Sequence, residues 1–450
     1  MNGKNPRQIA ARILSQRLNS GEFTENLLET ALAAASLSPL DRGLCHELVC
    51  GVVRWQATLD CLIARKTDPA RQQRPALKNL LRLGLYQIFW LERIPPHAAV
   101  HETVELAKRS GYGAQAGFIN AVLRSYVRES DSIKKILADM KVSQPALGWS
   151  HPDWLVNKWR HQFGDDRARQ LLDWNNIPPK TYARVNALKF LARPSEGTPD
   201  SPLRAPHAAP GPGDLLTRWR AEEVDYDVFT RDWTGENLVF ELKSHPSLSR
   251  LGSFQEGWFY VQDPSTLLAP VMLDPQPGES ILDLCAAPGG KTTFIAQLMQ
   301  NRGRIFASDP DPNRWLRLKE NCVRLGVACV DFHKQALAAG EVFDRVLVDA
   351  PCSNTGVLRR RVDLRWRIQA AEIERLRATQ LSLLNQAAAR LKPGGLLVYS
   401  TCSLEPEENS GVVNQFLADR PGFRLQTQRQ LLPFADGVDG AYVAVLKHLI

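Results

Sequence analysis

Apolar side chains in the first 130 residues recur at helical spacing. Ile9, Ile13, Leu14 and Leu18 share one face, and Leu27 and Leu28 follow after Gly21 breaks the run. Leu44, Leu48, Val49, Val52 and Val53 resume behind Ser38-Pro39, a helix-start signal. Further amphipathic stretches cover 77–93, 98–110 and 116–127, and no segment shows strand alternation. An all-helical bundle is therefore expected over residues 1–145. From residue 256 the pattern changes. Short apolar runs at 281–284, 304–307, 343–348 and 396–399 alternate with helical stretches at 292–299, 314–325 and 370–391. Such alternation predicts βαβ units around a mostly parallel sheet. The middle, 146–255, reads as linker helices with Trp154, Leu155, Trp159 and Phe163 packed on one face, then a small α+β region with a strand-like run at 182–188. Within it, residues 191–214 hold six prolines and three glycines and read as an exposed, flexible excursion.

Two or three domains suit a chain of 450 residues. No apolar run approaches the ~20 residues that span a bilayer, and no apolar h-region follows the N-terminal charges. No membrane partner is expected, and a cytoplasmic monomer is. The net charge of +8 is unevenly placed: residues 1–150 carry 20 basic and 13 acidic side chains, and the rest is nearly balanced. That bias points to a polyanion, most often nucleic acid. The eight cysteines form no C-x-x-C pair and have few histidines near them, so neither metal nor disulfides are expected and most cysteines read as buried fillers.

Three motifs carry chemistry. The turn Asp283-Leu284-Cys285-Ala286-Ala287-Pro288-Gly289-Gly290-Lys291-Thr292 follows a strand and opens a helix, where backbone can approach a nucleotide-like ligand. It has neither G-x-G-x-x-G spacing nor a P-loop's upstream glycine. Asp309 ends the next strand, where an acidic residue accepts from ribose hydroxyls, though a plain surface aspartate would read the same. A ribose acceptor without a phosphate cradle favours S-adenosyl-L-methionine over NAD. The other two motifs, Asp349-Ala350-Pro351-Cys352-Ser353 and Ser400-Thr401-Cys402-Ser403, each follow a strand and should emerge at one carboxyl edge of the sheet. Pyrimidine C5 is a poor nucleophile until a thiolate adds to C6. A cysteine, a carboxyl group near N3 and a second acid/base group meet the needs of C5 methylation. From the residues alone either cysteine could be the nucleophile.

Residues 1–130 resemble the RNA-binding domain of the NusB family, on Arg54-Trp55, Leu85-Tyr86-Gln87, Ile94-Pro95-Pro96-His97-Ala98 and 118–124. Nearly the whole chain is similar to the Fmu/Sun, or RsmB, family of bacterial 16S rRNA cytosine-5 methyltransferases. The likeness rests on Arg184-Val185-Asn186, Val261-Gln262-Asp263, Cys285 to Lys291, Asp349 to Ser353, and Thr401-Cys402-Ser403 followed by Pro406-Glu407-Glu408-Asn409. The resemblance implies an all-α NusB-like bundle (1–145), a small α+β middle region (146–255) and an α/β Rossmann-like S-adenosyl-L-methionine-dependent methyltransferase domain (256–450). It implies Cys402 as nucleophile on C6, Cys352 as the cysteine assisting product release, and Asp349 near N3 and the methionine end of the cofactor. It also implies Cys285, Ala286, Ala287, Pro288, Gly289, Gly290 and Lys291 as the cofactor loop, Asp309 as ribose ligand, and small-subunit ribosomal RNA as partner. Two departures stand out. Gln335 occupies the adenine position where the family places aspartate after glycine, with Asp331 as a nearby substitute, and Val362 replaces a usual proline. The cluster Arg359, Arg360, Arg361, Arg365 and Arg367 suits a phosphate-contacting loop. The rival reading is a non-catalytic RNA-binding or ribosome-assembly factor on a methyltransferase scaffold.

Overall fold

The computed structural model describes residues 5–68, 73–190, 212–309, 311–332 and 340–449. Contacts divide the chain into two compact units, one of Met1–Pro178 with Leu358–Ile368, the other of Pro179–Val357 with Gln369–Ile450. Most of the excursion expected at 191–214 lies outside the described residues. Its last three residues instead open a helix, Pro212–Ala221.

In the first unit the helical spacing becomes helices at Pro6–Asn19, Thr24–Ala33, Pro39–Arg54, Gln56–Lys66, Pro75–Trp90, Pro96–Arg109 and Ala116–Arg128. Proline opens four of them, where its missing N–H is no loss. Ser38 caps the third by accepting from Asp41 N at 3.1 Å. Ile9, Ile13, Leu48, Val49 and Val53 are buried, as their period requires. The linker helices Asp153–Phe163 and Asp165–Trp174 belong to this unit, with Leu155 and Trp159 fully buried.

Leu358–Ile368 corrects the expectation of a phosphate-contacting loop. Only Arg361 of its five arginines is exposed. Arg365 is wholly buried. Its guanidinium donates to the carbonyls of Arg54, Ser150 and Asn175 and to Asn176 Oδ1. Burial, then the Arg54 charge, pushes its pKa well down. Arg359 lies 4.2 Å from the Trp174 ring centroid, and Arg367 donates to the Gly21 and Glu22 carbonyls. Asp363, buried, accepts from Arg17 Nε and Thr24 N. These side chains bind helix-end carbonyls and amides, so they hold the segment in place, and Arg359, Asp363 and Arg365 are buried in doing so.

The second unit contains two sheets. Strands β1 (Thr181–Val185), β2 (Asp225–Phe229), β3 (Val239–Ser244) and β4 (Phe259–Val261) form an antiparallel sheet in the order β2-β3-β1-β4, with Trp219, Phe240 and Phe259 buried in its own core. The larger sheet contains β5 (Ser280–Leu284), β6 (Arg304–Ser308), β7 (Val330–Phe332), β8 (Phe343–Asp349), β9 (Leu391–Thr401), β10 (Phe423–Leu431) and β11 (Ala441–His448). Its order is β10-β11-β9-β8-β5-β6-β7, parallel from β9 to β7, with β10 and β11 added antiparallel. The parallel strands are apolar on both faces because cores lie on each side. Successive strands run outward from β5 to β6 and β7, then return to β8 on its other side. The strand order therefore reverses between β5 and β8, the kind of place where open α/β sheets bind ligands, at their carboxyl ends. No described helix is long and apolar enough to cross a membrane.

Removing one partner of a buried ion pair strands the other. Asp363→Ala is expected to destabilise the helical unit by about 3 kcal/mol, read from urea unfolding. Unchanged unfolding would contradict the anchoring role of Asp363.

Candidate active site

The glycine loop follows β5. Its turn needs left-handed backbone at Cys285 (φ 63°) and Gly289 (φ 102°). At Gly289 this conformation strains any L side chain, and a Cβ would in addition come within 2.6 Å of Leu318 Cδ1. Neighbouring elements tie the loop down. Ala286 N donates to Ser308 O at 2.9 Å, Asn321 Nδ2 to Pro288 O at 2.9 Å, and Arg314 to Ala287 O. Asp309 has its side chain fully enclosed and accepts from Ala287 N and Asp311 N, both at 3.0 Å. It braces the loop it was expected to accompany. The helix Gly290–Leu298 then begins, held from the smaller sheet by Arg184. That arginine donates to Gly290 O at 2.8 Å and Thr293 Oγ1 at 3.0 Å, and burial lowers its pKa to about 9.

Strands β8 and β9 carry the cysteine motifs to the same edge. Cys352 Sγ and Cys402 Sγ are 3.3 Å apart, the former buried and the latter half-buried. The Cys402 thiol also lies 3.1 Å from Asn354 Oδ1. Asn354 has left-handed backbone (φ 58°), and its Nδ2 donates to Cys352 O at 2.6 Å, which fixes the amide with its oxygen toward Cys402. Hydrogen bonding to Cys402, then burial, raises the Cys352 pKa well above that of an ordinary thiol. Cys352 therefore keeps its proton at neutral pH.

Asp349 ends β8 between the thiols and the glycine loop. One oxygen accepts from Ser400 Oγ at 2.9 Å and the other meets Lys291 Nζ at 2.7 Å. Burial works against the charge of Lys291, but Asp349 outweighs it and the ammonium is held above its usual pKa. Asp283, at the end of β5, is wholly buried and accepts from Thr292 Oγ1 at 2.7 Å, while its Oδ1 is buried without a partner. Burial, with Asp349 and Asp309 adding and Thr292 and Lys291 opposing, raises its carboxyl to about 7. Asp349 thus pairs with Lys291 and Asp309 lies 3.6 Å from Arg314 Nη1, which leaves the unpartnered oxygen of Asp283 as the group open to a small cationic ligand.

The structure brings together Cys352, Cys402, Asp349 and Lys291. Cys285 to Gly290 and Asp309 line the loop beside them. Gln335 lies outside the described residues, and Asp331 pairs with Arg304 at 2.8 Å. Asp283, Asn354 and the bracing by Arg184 were not among the expected site residues, although the Arg-x-Asn strand and the glycine turn contain two of them. The other buried cysteines behave as fillers. Burial raises Cys322 to about 12 and Cys329 to about 11.

The family model for 16S rRNA methyltransferase RsmB/F matches residues 270–447, that of the NusB family matches 4–128, and that of an RsmF/B-like ferredoxin-like domain matches 151–192. The probable ribosomal RNA small subunit methyltransferase B of Bacillus subtilis is 34% identical over 98% of both chains. The ribosomal RNA small subunit methyltransferase B of Vibrio vulnificus is 35% identical over 98% of this chain and 99% of its own. The chain belongs to the ribosomal RNA small subunit methyltransferase B family. Its fold matches the crystal structure of PH0851 with a TM-score of 0.75 over 98% of both chains, at 24% identity. The all-α NusB-like bundle, the small α+β sheet and the Rossmann-like methyltransferase domain are those of this family.

Because Asp283 has a folded pKa near 7, above its unfolded value, the folded state binds its proton more tightly. The stability this lends is fully present below the unfolded pKa of about 4 and is lost as pH rises through 7. Asp283→Asn mimics the neutral form. Relative to the parent it should gain about 4 kcal/mol between pH 4 and pH 8 in urea unfolding. Parallel pH profiles for the two proteins would contradict this.

Proposed function

We propose that this protein transfers a methyl group from S-adenosyl-L-methionine to C5 of a cytosine in 16S ribosomal RNA, through a covalent bond between Cys402 and C6. The observation that carries the reading is the 3.3 Å thiol pair beside Asp349, at the same sheet edge as the glycine loop. Cys402 is the more accessible sulfur and takes the role of nucleophile. Cys352 keeps its proton and donates to the Cys402 thiolate, making that thiolate easier to form and to expel. Asp349, oriented by Ser400 and Lys291, faces N3, and the proton carried by the Lys291–Asp349 pair is available as negative charge builds on the ring.

Cys285 to Lys291, with Asp283 and Asp309 behind them, would hold the cofactor. The unpartnered Asp283 oxygen favours its cationic end. The cofactor supplies an electrophilic methyl group when bound. After C5 has taken the methyl, its proton leaves to a base and the C6–S bond breaks, returning Cys402 as thiolate. The base has to be unstacked to meet the thiols, since C5 and C6 are covered in a helix.

Tritiated-methyl transfer to unmodified 16S rRNA, followed by bisulfite mapping, tests the reading. Cys402→Ala is expected to abolish transfer. Cys352→Ala is expected to accumulate a protein–RNA adduct that survives denaturing gels. If the adduct forms in Cys402→Ala instead, the two roles are exchanged. Cofactor binding without any transfer by the parent protein would favour the non-catalytic RNA-binding factor.

A further inference from the structure

Immediately after the second cysteine motif come Glu408 and Asn409, both buried, in the turn that leads to the helix Ser410–Asp419. Both reach residues that flank the two cysteines. Glu408 Oε1 accepts from Ser353 N at 2.8 Å and from Gln380 Nε2 at 3.0 Å. Its Oε2 accepts from the hydroxyls of both Ser353 and Ser403. Ser353 follows Cys352, and Ser403 follows Cys402. Gln380 also donates to Pro351 O at 2.9 Å, just before Cys352. Asn409 accepts from Thr401 Oγ1 at 2.6 Å and donates to Ser403 O at 2.9 Å, so it grips Cys402 from both sides.

We propose that Glu408 is a positioning residue: its carboxylate clasps the two cysteine loops together and sets the distance between their sulfurs. The inference rests on the two-thiol reading given above and names what holds that geometry. Cys352 and Cys402 lie 50 positions apart on separate strands, and loops following strands are the least constrained part of a sheet edge. One acceptor-only group receiving four donors from three segments removes that freedom. A neutral amide of equal length can still serve. Its oxygen takes the Ser353 and Gln380 N–H groups, and its NH2 donates to serine hydroxyls that rotate to accept. A carboxylate one methylene shorter cannot reach both loops. Reach, more than charge, is what the clasp requires.

Phenylarsine oxide reads the sulfur spacing without any methyl transfer. Two As–S bonds form, the arsenic–oxygen bond breaks, and the two thiol protons leave with that oxygen as water. The parent should bind one equivalent, lost in Cys352→Ala and in Cys402→Ala. Glu408→Ala and Glu408→Asp should each bind about tenfold more weakly, because the two sulfurs no longer act as one chelating site. Their kcat should fall about 100-fold, with KM for RNA within about twofold of the parent. Glu408→Gln should restore both. Parent-like arsenical binding and kcat in Glu408→Asp and Glu408→Ala would overturn the clasp, and so would a parent that fails to bind the arsenical through both thiols. If Glu408→Ala does not fold, Glu408→Asp against Glu408→Gln decides alone. Arsenical binding that follows the expected order in a parent unable to methylate cytosine C5 would keep the clasp and remove the C5 reading.

Discussion

Parallel pairing of β8 with β9 is the constraint on which the site depends. The register ends with Asp349 opposite Ser400, and two further backbone bonds, Ala350 N to Ser400 O and Gly356 N to Cys402 O, both 2.9 Å, carry the pairing past the strand ends. Cys352 is three residues beyond one member of the last pair and Cys402 two beyond the other. Adjacent parallel strands lie about 4.8 Å apart, so side chains leaving neighbouring carboxyl ends are already within reach of each other. A shift of one residue in β9 would turn its side chains to the opposite face and carry Cys402 away. Apolar residues on both faces, such as Val346, Leu347, Leu397 and Val398, make such a shift costly.

Electrostatics at this edge follows from what the sheet brings together. Asp283 and Asp349 end strands that are neighbours, and Asp309 follows the next strand along. Three carboxylates in so small a space repel one another, and the result is spread unevenly. Asp349 takes the ammonium of Lys291, Asp309 takes backbone N–H groups and the Arg314 guanidinium 3.6 Å away, and Asp283 is left with one hydroxyl and an oxygen without a partner. The edge therefore keeps one enclosed carboxyl with an unpartnered oxygen, next to a thiol pair in which one member keeps its proton. Such an arrangement is poorly suited to a phosphate and well suited to a cation.

Much of this was legible in the sequence because it is local. Helical spacing in the first 130 residues and the strand–helix alternation after residue 256 reflect which face each element buries, and the glycine turn reflects a backbone that only glycine allows at Gly289. The cysteine motifs announced their edge because each follows an apolar strand. What escaped is long-range. The short β7 and the antiparallel β10 and β11 were not anticipated, since β10 shows mostly polar and half-buried positions and three residues of β7 carry no period. Asn354 gave no signal of its own, because its value lies in a left-handed backbone that brings an amide to a cysteine 48 positions away. Asp309 was read for what it offers a ligand, and the structure adds what it does for the loop.

The arginines of Leu358–Ile368 show why charge composition alone misleads. Five cations in nine residues look like a surface for phosphates, yet a guanidinium is also the side chain best able to satisfy several carbonyls at once. Arg365 does so with acceptors contributed by residues 54, 150, 175 and 176, none of which is near it in sequence. Burying a cation is costly unless its donors are taken up, and here carbonyl oxygens near helix ends, which lack intrahelical partners, meet those donors. Exposed surplus charge and buried structural charge are identical in a composition and opposite in consequence. The basic excess of the first 150 residues is a separate matter, since it includes the exposed Arg124 and Arg128 of the helix Ala116–Arg128, which are open to a polyanion.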